Sequence, residues 1–223
     1  MSSVITIIDY GASNIRSVQK AFEHIGAKTQ LTADPDVVRQ ADKLTLPGVG
    51  AFGSGMDGLR RHNLPPAIHE AVRRGAPFLG VCVGMQLLFD ESDEMGVHQG
   101  LGLIPGRVTR FPTNFTIHQP VLSLPKDSQS AIHHLKVPHM GWNQLEPAWE
   151  HSLLQGIQPG DYAYFVHSYY CVPVEATAVL AWTDYGFPFA SVVAQDNIYG
   201  LQFHPEKSQS VGLQILRNFV ERM

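Results

Sequence analysis

Hydrophobic and polar positions alternate between two periods along the first third of the chain. Residues 4–8, Val4-Ile5-Thr6-Ile7-Ile8, form a largely apolar run of strand length. The turn-rich stretch Asp9-Tyr10-Gly11-Ala12-Ser13-Asn14 follows, and then Ile15, Val18, Phe22 and Ile25 recur at helical spacing until Gly26 stops them. The same order of signals repeats. Residues 28–32 read as a strand, with Asp34-Pro35 as N-cap and first helical residue ahead of Val37 and Val38. Residues 43–46 are a third strand, running straight into Pro47-Gly48-Val49-Gly50. Helical stretches around 55–61 and 66–74 precede a fourth apolar run ending on Cys82, after which 84–90 reads as a helix. Strand, loop and helix in repetition predict an α/β fold with a mainly parallel sheet covered by helices on both faces.

From residue 100 onward the texture changes to short strands separated by turns: 107–111, 121–124, 141–145, 162–167, 178–182, 189–194 and 198–203. These predict an antiparallel extension of the sheet. Residues 208–223 place Val211, Ile215, Leu216, Phe219 and Val220 on one face after a serine, an amphipathic helix that closes the fold.

At 223 residues, with 44% hydrophobic and 16% charged residues, the expectation is one globular domain spanning 1–223. The net charge of −4 has no basic block behind it, so neither nucleic acid nor a membrane surface is an expected partner. No positively charged leader and no apolar run of spanning length is visible, which predicts a cytoplasmic protein. Cys82 and Cys171, the two cysteines, show no C-x-x-C spacing and suit a reducing compartment.

The chemistry concentrates at Gly80-Val81-Cys82-Val83-Gly84. A strand that turns at once into a helix holds the residue at the bend in a strained conformation and presents its side chain outward, and small neighbours permit the tight packing this requires. Helix N-terminal N–H groups favour the thiolate there. A buried cysteine that merely packs at the end of a core strand satisfies the same five residues. A base is available at the end of the last strand, where Pro205 breaks the ladder and lets His204 and Glu206 converge: histidine to take and return the proton, glutamate to orient the ring. Val83 N–H, next after the nucleophile, and Val49 N–H in the glycine-rich turn are the candidate oxyanion donors. His167, at the end of an apolar strand, is a candidate pocket wall. His133, His134 and His139 lack a second ligand set, so no metal is expected. Nothing points to a cofactor.

Taken with Gln202-Phe203-His204-Pro205-Glu206-Lys207-Ser208, the Cys82 elbow resembles the triad signature of class I glutamine amidotransferases. Pro47-Gly48-Val49-Gly50-Ala51-Phe52, Pro138-His139-Met140-Gly141-Trp142-Asn143 and Tyr164-Phe165-Val166-His167-Ser168-Tyr169 narrow the likeness to the glutaminase subunits of imidazole glycerol phosphate synthase. The resemblance implies a flavodoxin-like sheet and a Cys82–His204–Glu206 triad that hydrolyses glutamine. Gly50, Gln86, Ser168 and Tyr169 would hold the glutamine. Asn14, Trp142 and Lys207 would face a cyclase subunit (HisF) with a (β/α)8 barrel, the two forming a heterodimer through which ammonia passes. Ser13, Val83 and Tyr170 depart from the family's usual residues, and the stretch 113–136 is longer than usual. A related glutaminase serving another synthase, a non-catalytic interaction protein and a thiol hydrolase are the competing readings; they differ in whether glutamine is turned over and for whom.

Overall fold

The computed structural model describes residues 4–112, 114–116 and 132–223. The first half follows the expected alternation: β1 (Ile5–Ile8), α1 (Ile15–His24), β2 (Thr29–Thr32), α2 (Pro35–Gln40), β3 (Lys43–Gly48), α3 (Phe52–Arg61), α4 (Leu64–Arg73), β4 (Phe78–Cys82) and a single turn of helix, α5 (Val83–Gln86). Strands dominate the rest: β5 (Phe89–Ser92), β6 (His98–Gln99), β7 (Ile104–Arg110), β8 (Asn114–Thr116), β9 (Ile132–His134), β10 (His139–Pro147), β11 (Asp161–His167), β12 (Tyr169–Pro173), β13 (Val179–Asp184), β14 (Pro188–Gln195) and β15 (Ile198–Leu201), before α6 (Gln209–Arg222). The strand expected at 121–124 lies outside the described residues.

One long sheet runs in the order β11-β10-β13-β14-β15-β4-β3-β1-β2. Its β2-β1-β3-β4-β15 portion is parallel throughout, the flavodoxin-like order. The other half is antiparallel. The sheet is therefore mixed, a parallel part carrying the expected antiparallel extension, because the last strands are joined by turns that reverse the chain instead of by crossover helices. A second sheet, β12-β7-β5-β6, was not expected at all.

Strands β1, β3, β4 and β15 are buried along their whole length, as continuous apolar runs must be when helices cover both faces. Helix α1 buries Ile15, Val18, Ala21 and Phe22. Asp34 caps α2, its carboxylate accepting from the Asp36 N–H at 2.8 Å. One cation is drawn into this core: Lys43 Nζ donates to the carbonyls of Phe219 (3.2 Å) and Val220 (2.5 Å), near the C-terminal end of α6 where positive charge is favoured.

Two local expectations fail. The helix read at 84–90 stops at Gln86, because returning residues take the carbonyls that would extend it: the amides of Leu101, Gly102 and Leu103 donate to the oxygens of Leu87, Phe89 and Leu88. Leu87, Leu88 and Phe89 are buried in either conformation, so their apolarity did not discriminate. Ser208 occupies the N-cap position of α6 but makes no capping bond. Its hydroxyl donates instead to the His204 carbonyl at 2.7 Å and accepts from the Tyr164 N–H at 2.9 Å.

Candidate active site

Strand β4 lies between β3 and β15, with Cys82 opposite Gly48 on one side and Gly80 opposite Gly200 on the other. At its end Cys82 adopts φ +56° and ψ −115°, a conformation costing a residue with a Cβ on the order of 1–3 kcal/mol. Close packing holds it there. A Cβ at Gly80 would stand 2.5 Å from the Gly84 carbonyl oxygen, and one at Gly48 would stand 2.5 Å from the Gly84 nitrogen. A Cβ at Gly84 would overlap the carbonyl oxygen of Leu46. Three glycines thus let the elbow nest into β3, and Cys82 alone carries the bend. With α5 only four residues long, the helix dipole expected to favour the thiolate is small. The polarity around the sulfur comes from histidine.

His204 follows β15 by three residues and is anchored through its own backbone, its amide donating to the Tyr164 carbonyl at 2.9 Å. Its Nδ1 lies 2.9 Å from Glu206 Oε1, and both side chains are 2% exposed. Burial by itself would strip the imidazole of its proton. Hydrogen bonds to Cys82 and Glu206, reinforced by their negative charge, outweigh burial and raise its pKa from 6.5 to about 10. Asn14, at the start of α1, reaches the same Glu206 oxygen at 3.4 Å. Glu206 Oε2 and Asn14 Oδ1 are buried without a hydrogen-bond partner.

A cavity of about 330 Å³ opens beside the sulfur. Val49, Gly50, Val83, Gln86, Ser168, Tyr169 and His204, all singled out from sequence, line it together with Cys82 and His167. Gln86 Nε2 donates to the Tyr169 carbonyl at 3.0 Å and to Gln202 Oε1 at 3.1 Å. Both N–H groups being engaged, the capacity Gln86 has left is its carbonyl oxygen. Trp142, 47% exposed on β10, packs edge-on against Tyr164 with centroids 5.9 Å apart. Lys207 Nζ sits 5.6 Å from the centre of the same ring. These two residues therefore meet at Tyr164, the residue whose carbonyl anchors His204, and Asn14 reaches Glu206. A larger hollow, about 750 Å³, is a concavity within the single segment 147–159.

Glu94 was missed. It lines the cavity, and its Oε2 accepts from the Phe52 N–H at the start of α3 at 2.6 Å. In sequence it is the last of an acidic run, Asp90-Glu91-Ser92-Asp93-Glu94, and only the path of β5 separates it from its neighbours. The Glu94 carboxylate on the cavity wall suits a ligand with an ammonium group. His139, considered from sequence beside a possible metal, is packed among aromatic rings instead. Among the described residues no three His, Cys, Asp or Glu side chains gather as a metal site.

A strained cysteine, a buried histidine–carboxylate pair and two backbone turns at one small cavity can together carry thiol acyl transfer. Comparison with known proteins agrees. The family model described as glutamine amidotransferase class-I matches residues 6–223. The imidazole glycerol phosphate synthase subunit HisH of Syntrophotalea carbinolica is 52% identical over 216 residues, covering 97% of this chain and 98% of the relative. That of Salinibacter ruber is 50% identical, covering 96% and 92%. Among solved structures, PurLQS from Thermotoga maritima superposes with a TM-score of 0.71 at 16% identity over 99% of this chain and 98% of that one, a likeness of fold. By the extent of the family match and the identity to these relatives, the chain belongs to the class-I glutamine amidotransferases.

Proposed function

We propose that this chain is the glutaminase subunit of imidazole glycerol phosphate synthase. The observation that carries this reading is the near-full-length identity of 52% to a HisH subunit, combined with a Cys82–His204–Glu206 arrangement at a strained strand end. The Cys82 sulfur, its proton taken by His204, adds to the side-chain amide carbon of glutamine, and the amide oxygen takes the negative charge, facing the Val49 and Val83 N–H groups. His204 gives a proton to the leaving nitrogen, so the C–N bond breaks and ammonia departs, leaving a glutamyl thioester. Water, deprotonated by His204, then cleaves the C–S bond to release glutamate and restore the thiol. Glu206 holds the ring and its charge. Gly50, Gln86, Ser168, Tyr169 and Glu94 hold the substrate, the Glu94 carboxylate facing the α-ammonium group.

The ammonia is consumed by a cyclase subunit with a (β/α)8 barrel, bound as a heterodimer across the face carrying Asn14, Trp142 and Lys207, in the cytoplasm. The half-exposed Trp142 beside Tyr162 and Met140, each more than half exposed on the paired strands β10 and β11, supports an interface there. Residues 1–223 act as one domain. Among the described residues no helix is long and apolar enough to cross a membrane. The test is glutamate release from glutamine by the purified chain, alone and mixed with the histidine-pathway cyclase and a ligand of its active site. Activation by that mixture is the expected result; turnover indifferent to that cyclase would assign the chain to another synthase, and none in any mixture would refute the glutaminase reading.

A further inference from the structure

At the cavity wall and just behind it, two histidines that the triad does not use, His167 on the wall and His139 beyond it, form a hydrogen-bonded series whose proton positions are set by three backbone groups. The Gln144 N–H donates to Asn143 Oδ1 at 2.8 Å, which fixes the orientation of the Asn143 amide. Asn143 Nδ2 then donates to the Asp184 carbonyl at 2.8 Å and faces His139 Nε2 at 3.2 Å. At the other end His167 Nδ1 lies 2.9 Å from the Tyr169 carbonyl, and a carbonyl only accepts, so His167 carries its proton on Nδ1. His167 Nε2 is therefore an acceptor. Its neighbour at 3.0 Å, His139 Nδ1, must donate, which leaves His139 Nε2 to accept from Asn143. Every ring nitrogen is satisfied with both imidazoles neutral and both in the Nδ1–H tautomer.

The surroundings hold this state. His139 is stacked between Phe165 and Tyr185, at centroid distances of 4.9 and 4.0 Å, and His167 lies against Phe111 and Phe189. Burial lowers the pKa of His139 to about 4 and that of His167 to about 3, the latter helped by His139 and His204 and opposed by the bond to Tyr169. The series ends at the ligand cavity. The Tyr169 carbonyl accepts from His167 with one lone pair and from Gln86 Nε2 with the other, at 2.9 and 3.0 Å.

We infer that His139 and His167 are positioning residues for the cavity: two neutral Nδ1–H imidazoles in series hold the Tyr169 carbonyl, and through it the Gln86 amide, in the orientation that offers Gln86 Oε1 to the ligand. The inference rests on the reading of the cavity as a glutamine site. It also specifies why Asn143, one residue along β10 from the half-exposed Trp142, is an amide: it is the group that tells His139 which nitrogen to protonate.

Ring ¹⁵N spectra of the wild-type protein near neutral pH test the tautomers without reference to any substrate. Two neutral Nδ1–H rings assigned to His139 and His167 are expected, and an Nε2–H or charged ring at either position overturns the inference. Kinetics test its consequence under the conditions where wild type turns over glutamine. His139→Phe keeps an aromatic ring in the box but removes the donor, and His167→Gln removes the Nδ1 donor. Each should raise the KM for glutamine about tenfold, the loss associated with one buried hydrogen bond, while kcat stays within about threefold. His167→Asn, which places an N–H where Nδ1 was, should restore much of the KM. Unchanged KM in the first two variants, or a fall in kcat with KM unchanged, would overturn the positioning role. Cys82 alkylation at the wild-type rate in each variant certifies that the elbow is folded. Absence of glutamine turnover in wild type would defeat the glutaminase reading instead, with the spectra still deciding the geometry.

Discussion

Glu206→Gln probes how much the triad depends on a buried charge. The substitution keeps the shape of a side chain that is 2% exposed and already leaves one oxygen, Oε2, without a partner. It removes the anion 2.9 Å from His204 Nδ1. Raising the imidazole pKa from 6.5 to about 10 represents roughly 5 kcal/mol of preference for the charged ring at about 1.4 kcal/mol per tenfold step, supplied against burial by Cys82 and Glu206 together. Losing one of the two anions should remove on the order of 2 kcal/mol or more of that preference, bringing the ring's titration towards the neutral range. The sign of the stability effect follows. A raised folded-state pKa stabilises the protein fully below about 6.5, and the contribution is lost as pH rises from there through about 10. Wild type should therefore lose stability across that window and Glu206→Gln should show a smaller loss. For catalysis the amide also tends to present an N–H to Nδ1 and so to force the wrong tautomer, a change worth about 10⁴ in kcat in a comparable triad. Proton NMR of His204 against pH, urea midpoints between pH 6 and 10, and glutamate release measure the three effects. A His204 titration unmoved by the substitution, or a kcat within tenfold of wild type, would refute the assignment of Glu206 as the partner that holds the imidazolium.

Gly84→Ala should abolish both glutamine hydrolysis and Cys82 alkylation at its wild-type rate, because the added Cβ overlaps the Leu46 carbonyl oxygen and must displace α5 from β3; a fully active variant would show that the elbow tolerates a different path. Glu94→Gln should raise the KM for glutamine by about 10–100-fold through loss of a charge-assisted contact to the ammonium group, with kcat much less affected, and an unchanged KM would remove Glu94 from the binding site. Lys43→Met should destabilise the chain by about 1–3 kcal/mol, read from urea unfolding, since the Phe219 and Val220 carbonyls lose their donor. Asp34→Ala should cost about 1 kcal/mol by loss of the α2 cap, and no change in the unfolding midpoint would show that the cap is redundant.

What the chain's own pattern determined is whatever depends on neighbours in sequence. The Gly80-Val81-Cys82-Val83-Gly84 elbow was legible because its requirement is steric and local: three small or bent residues where a strand turns. So was the approach of His204 to Glu206, two residues apart across a proline, and so was the Asp34 cap. Helices α1, α2 and α4 were legible because their buried positions recur every three to four residues.

Tertiary structure decided everything that pairs distant segments. Cys82 meets His204 because β4 and β15 are hydrogen-bonded neighbours, with Leu201 beside Val81, and no periodicity along either strand encodes that partner. Gln86 is oriented by Tyr169 and Gln202, 83 and 116 residues away. The early end of α5 was set by residues 101–103 competing for carbonyls that a longer helix would use, and the resulting turn into β5 is what carries Glu94 to the cavity. Asn143 and His167 fell within the strands read at 141–145 and 162–167, whereas His139, which the structure places on the same strand as Asn143, lay outside both. The protonation states of the two histidines were not legible, since a neutral imidazole donates from either nitrogen and only the fixed backbone groups at the two ends of the series choose between them.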